Sequence, residues 1–116
     1  MKLIKTKFTY LKIVKLKKNS DSRGHLAETY RKNLLKGKDL IFDYKVYSKK
    51  NVLRGFHFQY KNRQIKYVTV LKGKILDCVI DLRKNSKTFG KVFKIYENAT
   101  IFNILTRRRQ LRPGIL

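Results

Sequence analysis

A chain of 116 residues forms one domain at most, with room for a modest core. Its apolar share of 42% and aromatic share of 12% exclude a disordered polymer. Its formal charge of +23 is extreme for this length and attracts polyanions, whether nucleic acid, anionic membrane or phosphorylated ligands. The basic residues are scattered among apolar ones (Lys12, Lys15, Lys17, Lys45, Lys72, Lys74, Lys91, Lys94), which suits a lysine-coated surface better than a nucleic-acid footprint. No recognition helix, zinc-finger spacing or aromatic RNA-binding signature is present, so nucleic acid is disfavoured as a partner. Cys78 is the single cysteine, which excludes an internal disulfide. Lys2, Lys5 and Lys7 interrupt the N-terminus and argue against a signal peptide. No run nears the ~20 apolar residues that span a bilayer, so a soluble cytoplasmic protein without a membrane partner is expected.

In chain order, Phe8 to Leu16 reads as a strand with period-two alternation. Asn19 to Gly24 is a turn cluster, His25 to Lys32 a short strand, and Leu34 to Asp39 a polar loop around Gly37. Ile41 to Val46 looks extended, Ser48 to Asn51 is a turn, and Val52 to Tyr60 is a strand rich in Val and aromatics. Lys66 to Leu82 predicts a hairpin around Lys72-Gly73. In that register Leu71 faces Lys74, Val68 faces Asp77 and Lys66 faces Val79. Lys66, Val68, Val70, Ile75, Asp77, Val79 and Asp81 then share one face, and Lys66 lies diagonally across from Asp77. Asp81 to Gly90 turns the chain, and Val92 to Tyr96 is another strand. Many short strands with regular turns indicate an all-β sandwich or barrel. The basic stretch over 105–116 reads as a tail without a fold, leaving 1–104 as the domain.

Asn51 to Gln59 places a guanidinium, Arg54, and an imidazole, His57, on one short run separated by Gly55. Such a pair can hold an anion and move a proton. The two have opposite strand parity, so they share a site only if Gly55 bends or bulges the run. A satisfied core histidine between Phe56 and Phe58 fits the same residues, and Lys66 with Asp77 fits a plain cross-strand ion pair. Arg23 could merely close the turn through Asp21. Two histidines without carboxylate spacing make a poor metal motif.

Several motifs together resemble the dTDP-4-dehydrorhamnose 3,5-epimerase family. Asp21-Ser-Arg-Gly24 followed by Glu28 is similar to its D-x-R-G…E segment. Val52-Leu-Arg-Gly-Phe-His-Phe-Gln59 is similar to its V-L-R-G-x-H-x-Q run. Gln64-Ile-Lys66, then Gly73, Asp77 and Asp81-Leu-Arg83, then Ser86-Lys-Thr-Phe-Gly90 follow in the family's order. The resemblance covers roughly residues 8 to 96. It implies an all-β, cupin-like double-stranded β-helix (jelly-roll) barrel, incomplete in this chain. It implies an isomerase that epimerises a nucleotide-linked 4-keto-6-deoxyhexose in deoxysugar biosynthesis, with no metal or organic cofactor. A base removes a proton beside the keto group, and reprotonation from the opposite face inverts the carbon.

The resemblance assigns roles residue by residue. His57 is the base, and Lys66 steadies the enolate oxygen. Arg23 and Arg54 hold the diphosphate, Glu28 helps bind the nucleotide, Gln59 belongs to the same substrate-binding run, and Asp77 orients Lys66 or the sugar. A homodimer is implied, with an N-terminal strand exchanged between subunits. A ketoisomerase of the same fold and a basic β-domain binding nucleic acid are the alternatives, with a non-functional remnant behind them.

The chain also departs from the family. After residue 96 the family runs into a motif typified by I-P-x-G-F-A-H-G. Here Ile101 to Ile104 begins such a strand, and Leu105-Thr-Arg-Arg-Arg109 follows instead. The family's opposite-face tyrosine and the aspartate that orients its histidine lie in that later part. The expectation is a truncated or frameshifted, poorly active copy with uncovered apolar faces. Leu26 stands where Phe is common, and Phe42 to Val46 lacks the usual Gln, so the nucleotide or sugar can differ.

Overall fold

The computed structural model describes residues 1–35, 39–58, 61, 64–98, 102–106 and 110–111. Among the described residues, nine strands and one 3-10 turn run along the chain. They are β1 (Lys2–Lys5), β2 (Leu11–Lys15), β3 (Lys18–Asp21), β4 (Gly24–Ala27), the 3-10 turn Lys32–Leu35, β5 (Lys66–Val68), β6 (Lys74–Asp81), β7 (Val92–Asn98), β8 (Phe102–Thr106) and β9 (Gln110–Leu111). They form a four-stranded sheet in the order β1-β2-β8-β5, a β3-β4 hairpin, and a three-stranded sheet in the order β7-β6-β9. The all-β expectation holds.

The four-stranded sheet is covered on both faces, and the burial along β2 shows it. Leu11 and Val14 are fully buried, yet their odd separation points them to opposite sides. Leu11 packs with Phe8 and Val79 and against Phe93 and Ile95, so its face looks onto the three-stranded sheet. The Phe8 and Phe93 rings lie 6.0 Å apart at 56°. Val14 packs with Leu35 of the 3-10 turn, and Tyr30, Leu34 and Tyr67 close over that side. The Tyr67 hydroxyl donates to the Thr29 carbonyl, and its ring meets Tyr30 edge-on at 5.8 Å. Residues 28–35 thereby act as a lid on the outer face of the sheet.

The predicted hairpin over Lys66 to Leu82 does not form. β5 pairs with β8, with Lys66 opposite Thr106, whereas β6 pairs with β7 and β9. Gly73, at φ 85°, lets the chain leave one sheet and enter the other. β6 instead finds its partner across the Asp81 to Gly90 turn. The Asp81 N–H donates to Lys91 O (3.1 Å) and the Gly90 N–H to Asp81 O (2.8 Å). Within β6, Asp77, Val79 and Asp81 are buried, while Leu76, Cys78 and Ile80 are only half-buried. The more apolar face is therefore the outer one. Burial pushes the Cys78 thiol up from its ordinary value.

Other elements differ in detail. The 19–24 turn cluster is mostly strand, because β3 and β4 flank a tight turn at Ser22-Arg23. The strand predicted over His25 to Lys32 stops at Ala27. The strand predicted over Val52 to Tyr60 is absent from its described part, 52–58, where only His57 makes an isolated bridge. Gly55 sits at φ 119°, a conformation that breaks strand alternation. The segment 39–58 leaves Ile41 (93%), Tyr47 (81%), Phe42, Tyr44, Leu53 and Phe58 exposed, with Phe42 stacked on Tyr44. Val92 to Tyr96 is a strand as predicted, extended to Asn98. β8 runs to Thr106, and β9 returns to pair Leu111 with Ile80, within the span read from sequence as a tail without a fold.

Candidate functional site

Ladder pairings decide which chemistry-bearing residues face each other. Leu11 and Lys66 are both opposite Thr106, one from β2 and one from β5. Directly opposed residues of a ladder share a face, so Lys66 lies on the face of Leu11. That is the face packed against Val79 and Ile95. On the other sheet Asp77 is opposite Ile95 and Ile75 opposite Glu97, which puts Asp77 and Glu97 on the surface that carries Val79 and Ile95. Lys66 is half-buried, Asp77 is 5% exposed and Glu97 is fully buried. One ammonium and two carboxylates therefore belong to the facing inner surfaces of the two sheets. The hairpin is gone, yet the shared interior of Lys66 and Asp77 survives.

Glu97 was missed from sequence. The signal was present: carrying the Phe93–Ile95 alternation one step further puts a carboxylate on an apolar stripe, but the predicted strand ended at Tyr96.

The remaining candidates lie at the surface. His57 is exposed, and among the described residues nothing hydrogen-bonds its imidazole. Arg54 is exposed, its Nε donating to Ser48 Oγ (2.8 Å) and its Nη2 to the Tyr47 carbonyl (3.2 Å), so the guanidinium folds back on the preceding turn. Arg23 is exposed at the β3–β4 turn. Its N–H donates to Asp21 Oδ1 (2.9 Å) and its guanidinium pairs with Asp21 Oδ2 (2.6 Å). The Arg23 side-chain hydrogen bond is the main cause of the lowered Asp21 pKa. Arg23 thus helps close its own turn through Asp21. Glu28 pairs with Arg31, whose hydrogen bond lowers the Glu28 pKa. Gln59 lies outside the described residues. A shallow pocket lined by Met1, Arg31, Asn33 and Leu34 contains none of these residues. No group of three metal-ligating side chains occurs among the described residues.

The best-satisfied polar cluster frames the site from one end. Asp81 is fully buried and receives the Arg83 N–H (3.0 Å), Arg83 Nε (2.8 Å), Ser86 Oγ (2.6 Å) and Thr88 Oγ1. Burial alone would raise its pKa. The hydrogen bonds from Arg83, Ser86 and Thr88 more than offset that and hold the carboxyl well below the usual range. Arg83 also caps the Tyr10 ring at 4.8 Å, fastening the β6–β7 turn to the start of β2. The Asp81 carboxylate is held within its own turn by Arg83, Ser86 and Thr88, and this fixes the inner surface of β6.

Comparison with known proteins places this architecture. The family model of dTDP-4-dehydrorhamnose 3,5-epimerase matches residues 5–104. The dTDP-4-dehydrorhamnose 3,5-epimerase of Methanothermobacter thermautotrophicus is 36% identical over 94 residues, covering 78% of this chain and 51% of the relative. That of Salmonella typhimurium is 39% identical over 97 residues, covering 78% and 53%. Among solved structures, the Elizabethkingia anophelis enzyme superposes with TM-score 0.89 at 31% identity, covering all of this chain and 67% of that one. The Legionella pneumophila dTDP-6-deoxy-D-glucose-3,5-epimerase in complex with dTDP-4-keto-L-rhamnose gives 0.81 at 29%, covering 97% and 63%. The chain spans about half the length of the curated relatives it matches, and its strands form part of the cupin-like barrel of these epimerases. The chain belongs to the dTDP-4-dehydrorhamnose 3,5-epimerase family.

Proposed function

We propose that this chain carries the proton-abstracting portion of an epimerase acting on a nucleotide-linked 4-keto-6-deoxyhexose. One observation carries the reading: Lys66, a half-buried ammonium, lies on an inner surface between two sheets instead of on the solvent side. A cation in a partly dry interior is suited to steady negative charge on an oxygen. His57 is the base. Its exposed imidazole is open to a ligand, and Gly55, at φ 119°, breaks the strand alternation between it and Arg54. Arg54 and Arg23 meet the diphosphate, drawn in by the charge of +23, and Gln59 contributes to substrate binding. Glu28 belongs with the nucleotide, and Asp77 orients Lys66. The functional unit is a cytoplasmic homodimer.

In this reading His57 takes a proton from the carbon beside the keto group. The electron pair moves onto the carbonyl oxygen, and the Lys66 ammonium stabilises the enolate. Return of a proton to the opposite face completes inversion and needs an acid, which the family supplies from its later part. The step that His57 and Lys66 carry is thus read as isotope exchange beside the keto group, separately from inversion. Incubation with dTDP-4-keto-6-deoxyglucose in deuterated buffer tests this by NMR. Slow deuterium entry beside the keto group, abolished by His57→Asn, is expected. Exchange no faster than in the His57→Asn chain, together with no binding of thymidine diphosphate, overturns it.

A further inference from the structure

We propose that Glu97 is a positioning residue that, together with Asp77, holds the Lys66 ammonium charged and aimed into the space between the sheets. The inference deepens the proposed function and rests on that reading for its purpose, though not for its geometry. Glu97 is fully buried, and it lies diagonally across the β6–β7 ladder from Asp77 on the same inner face. An apolar residue there would simply continue the Phe93–Ile95 stripe. A carboxylate in that place costs several kcal/mol unless a cation compensates it. The charged residues that the two facing surfaces carry, among those described, are Lys2, Lys15, Lys66, Asp77, Asp81 and Glu97. Asp81 is saturated by Arg83, Ser86 and Thr88. Lys2 and Lys15 are exposed at the far end of their strands, whereas Lys66 is half-buried. Lys66, Asp77 and Glu97 each take part in interactions. Among the described residues, the cation suited to compensate two buried carboxylates is therefore Lys66. Two anions around one ammonium keep it protonated and restrict its swing, as electrostatic stabilisation of an enolate demands.

The test uses the full chain and needs no turnover. With 13C-labelled lysine, the Lys66 ε-carbon reports ionisation directly. Glu97→Gln keeps the shape and removes the charge, so the Lys66 titration midpoint should fall by about one pH unit or more. Glu97→Asp should restore most of that shift. An unchanged midpoint in a folded Glu97→Gln chain overturns the proposal. If that variant fails to fold, the wild-type chain decides. A nuclear Overhauser contact between the Lys66 ε-methylene and the Glu97 γ-methylene supports the assignment, and its absence overturns it. Loss of deuterium exchange with the Lys66–Glu97 coupling intact would count against the epimerase reading alone.

Discussion

Asp77 and Glu97 are diagonal neighbours on the inner face of the β6–β7 ladder, because Asp77 opposes Ile95 and Glu97 follows two residues later. Carboxylates so placed are near enough to act on one cation. Their burial leaves the interior of this small domain polar at one end and apolar around Val79, Phe93 and Leu11.

If Lys66 stabilises the enolate, Lys66→Met should slow deuterium exchange beside the keto group about 100-fold, the usual cost of losing one preorganised charge donor. Thymidine diphosphate affinity should change little, since the phosphates meet other residues. Proton NMR in deuterated buffer and isothermal titration separate the two effects.

Asp81→Ala removes the acceptor of a buried network and strands Arg83, Ser86 and Thr88. A loss of about 3 kcal/mol in urea unfolding is expected. The pH dependence has a definite sign. The folded carboxyl titrates well below its ordinary value, and the unfolded one near 3.9. Its stabilisation is full above about pH 4 and disappears as pH falls from there through the folded value. Wild-type unfolding midpoints should drop below pH 4, and those of Asp81→Ala should drop less.

Leu11→Ala opens a cavity where Phe8, Val79, Phe93 and Ile95 converge. A destabilisation of about 3 kcal/mol follows, read by chemical denaturation. Leu3→Ala, at a partly exposed site on the edge strand, should cost far less.

Lys2 is opposite Lys15 and Lys5 opposite Lys12 in the β1–β2 ladder, so like charges meet at both ends of the edge strand. Such pairs are mutually destabilising and are screened by salt. Raising sodium chloride from 20 to 200 mM, on the order of a threefold shortening of the Debye length, should raise the melting temperature. Lys2→Glu should weaken that dependence.

Much of the fold was legible because side-chain parity survives errors of pairing. The alternation in Lys74 to Asp81 and Val92 to Tyr96 identified real strands, and the Asp81 to Gly90 turn was visible from its Asn, Ser, Thr and Gly residues. The pairing of β5 was not legible. Its partner β8 lies far along the chain, while Lys72-Gly73 offered a local turn, and local signals cannot announce a crossing between sheets. Val52 to Phe58 misled for a different reason. Its β-branched and aromatic residues fit a strand, but Gly55 breaks the repeat and leaves the phenylalanines in water. For the site, Lys66 and Asp77 were placed in one interior through a hairpin that does not exist. Glu97 lay one residue beyond the predicted strand end.

β2 has a core on each side, with Leu11 in one and Val14 in the other. A slip of this strand by one residue in one direction would carry Lys12 into the place of Leu11 and Lys15 into that of Val14. Both interiors would refuse the error at once, so the alignment of the central strand is proofread twice during folding.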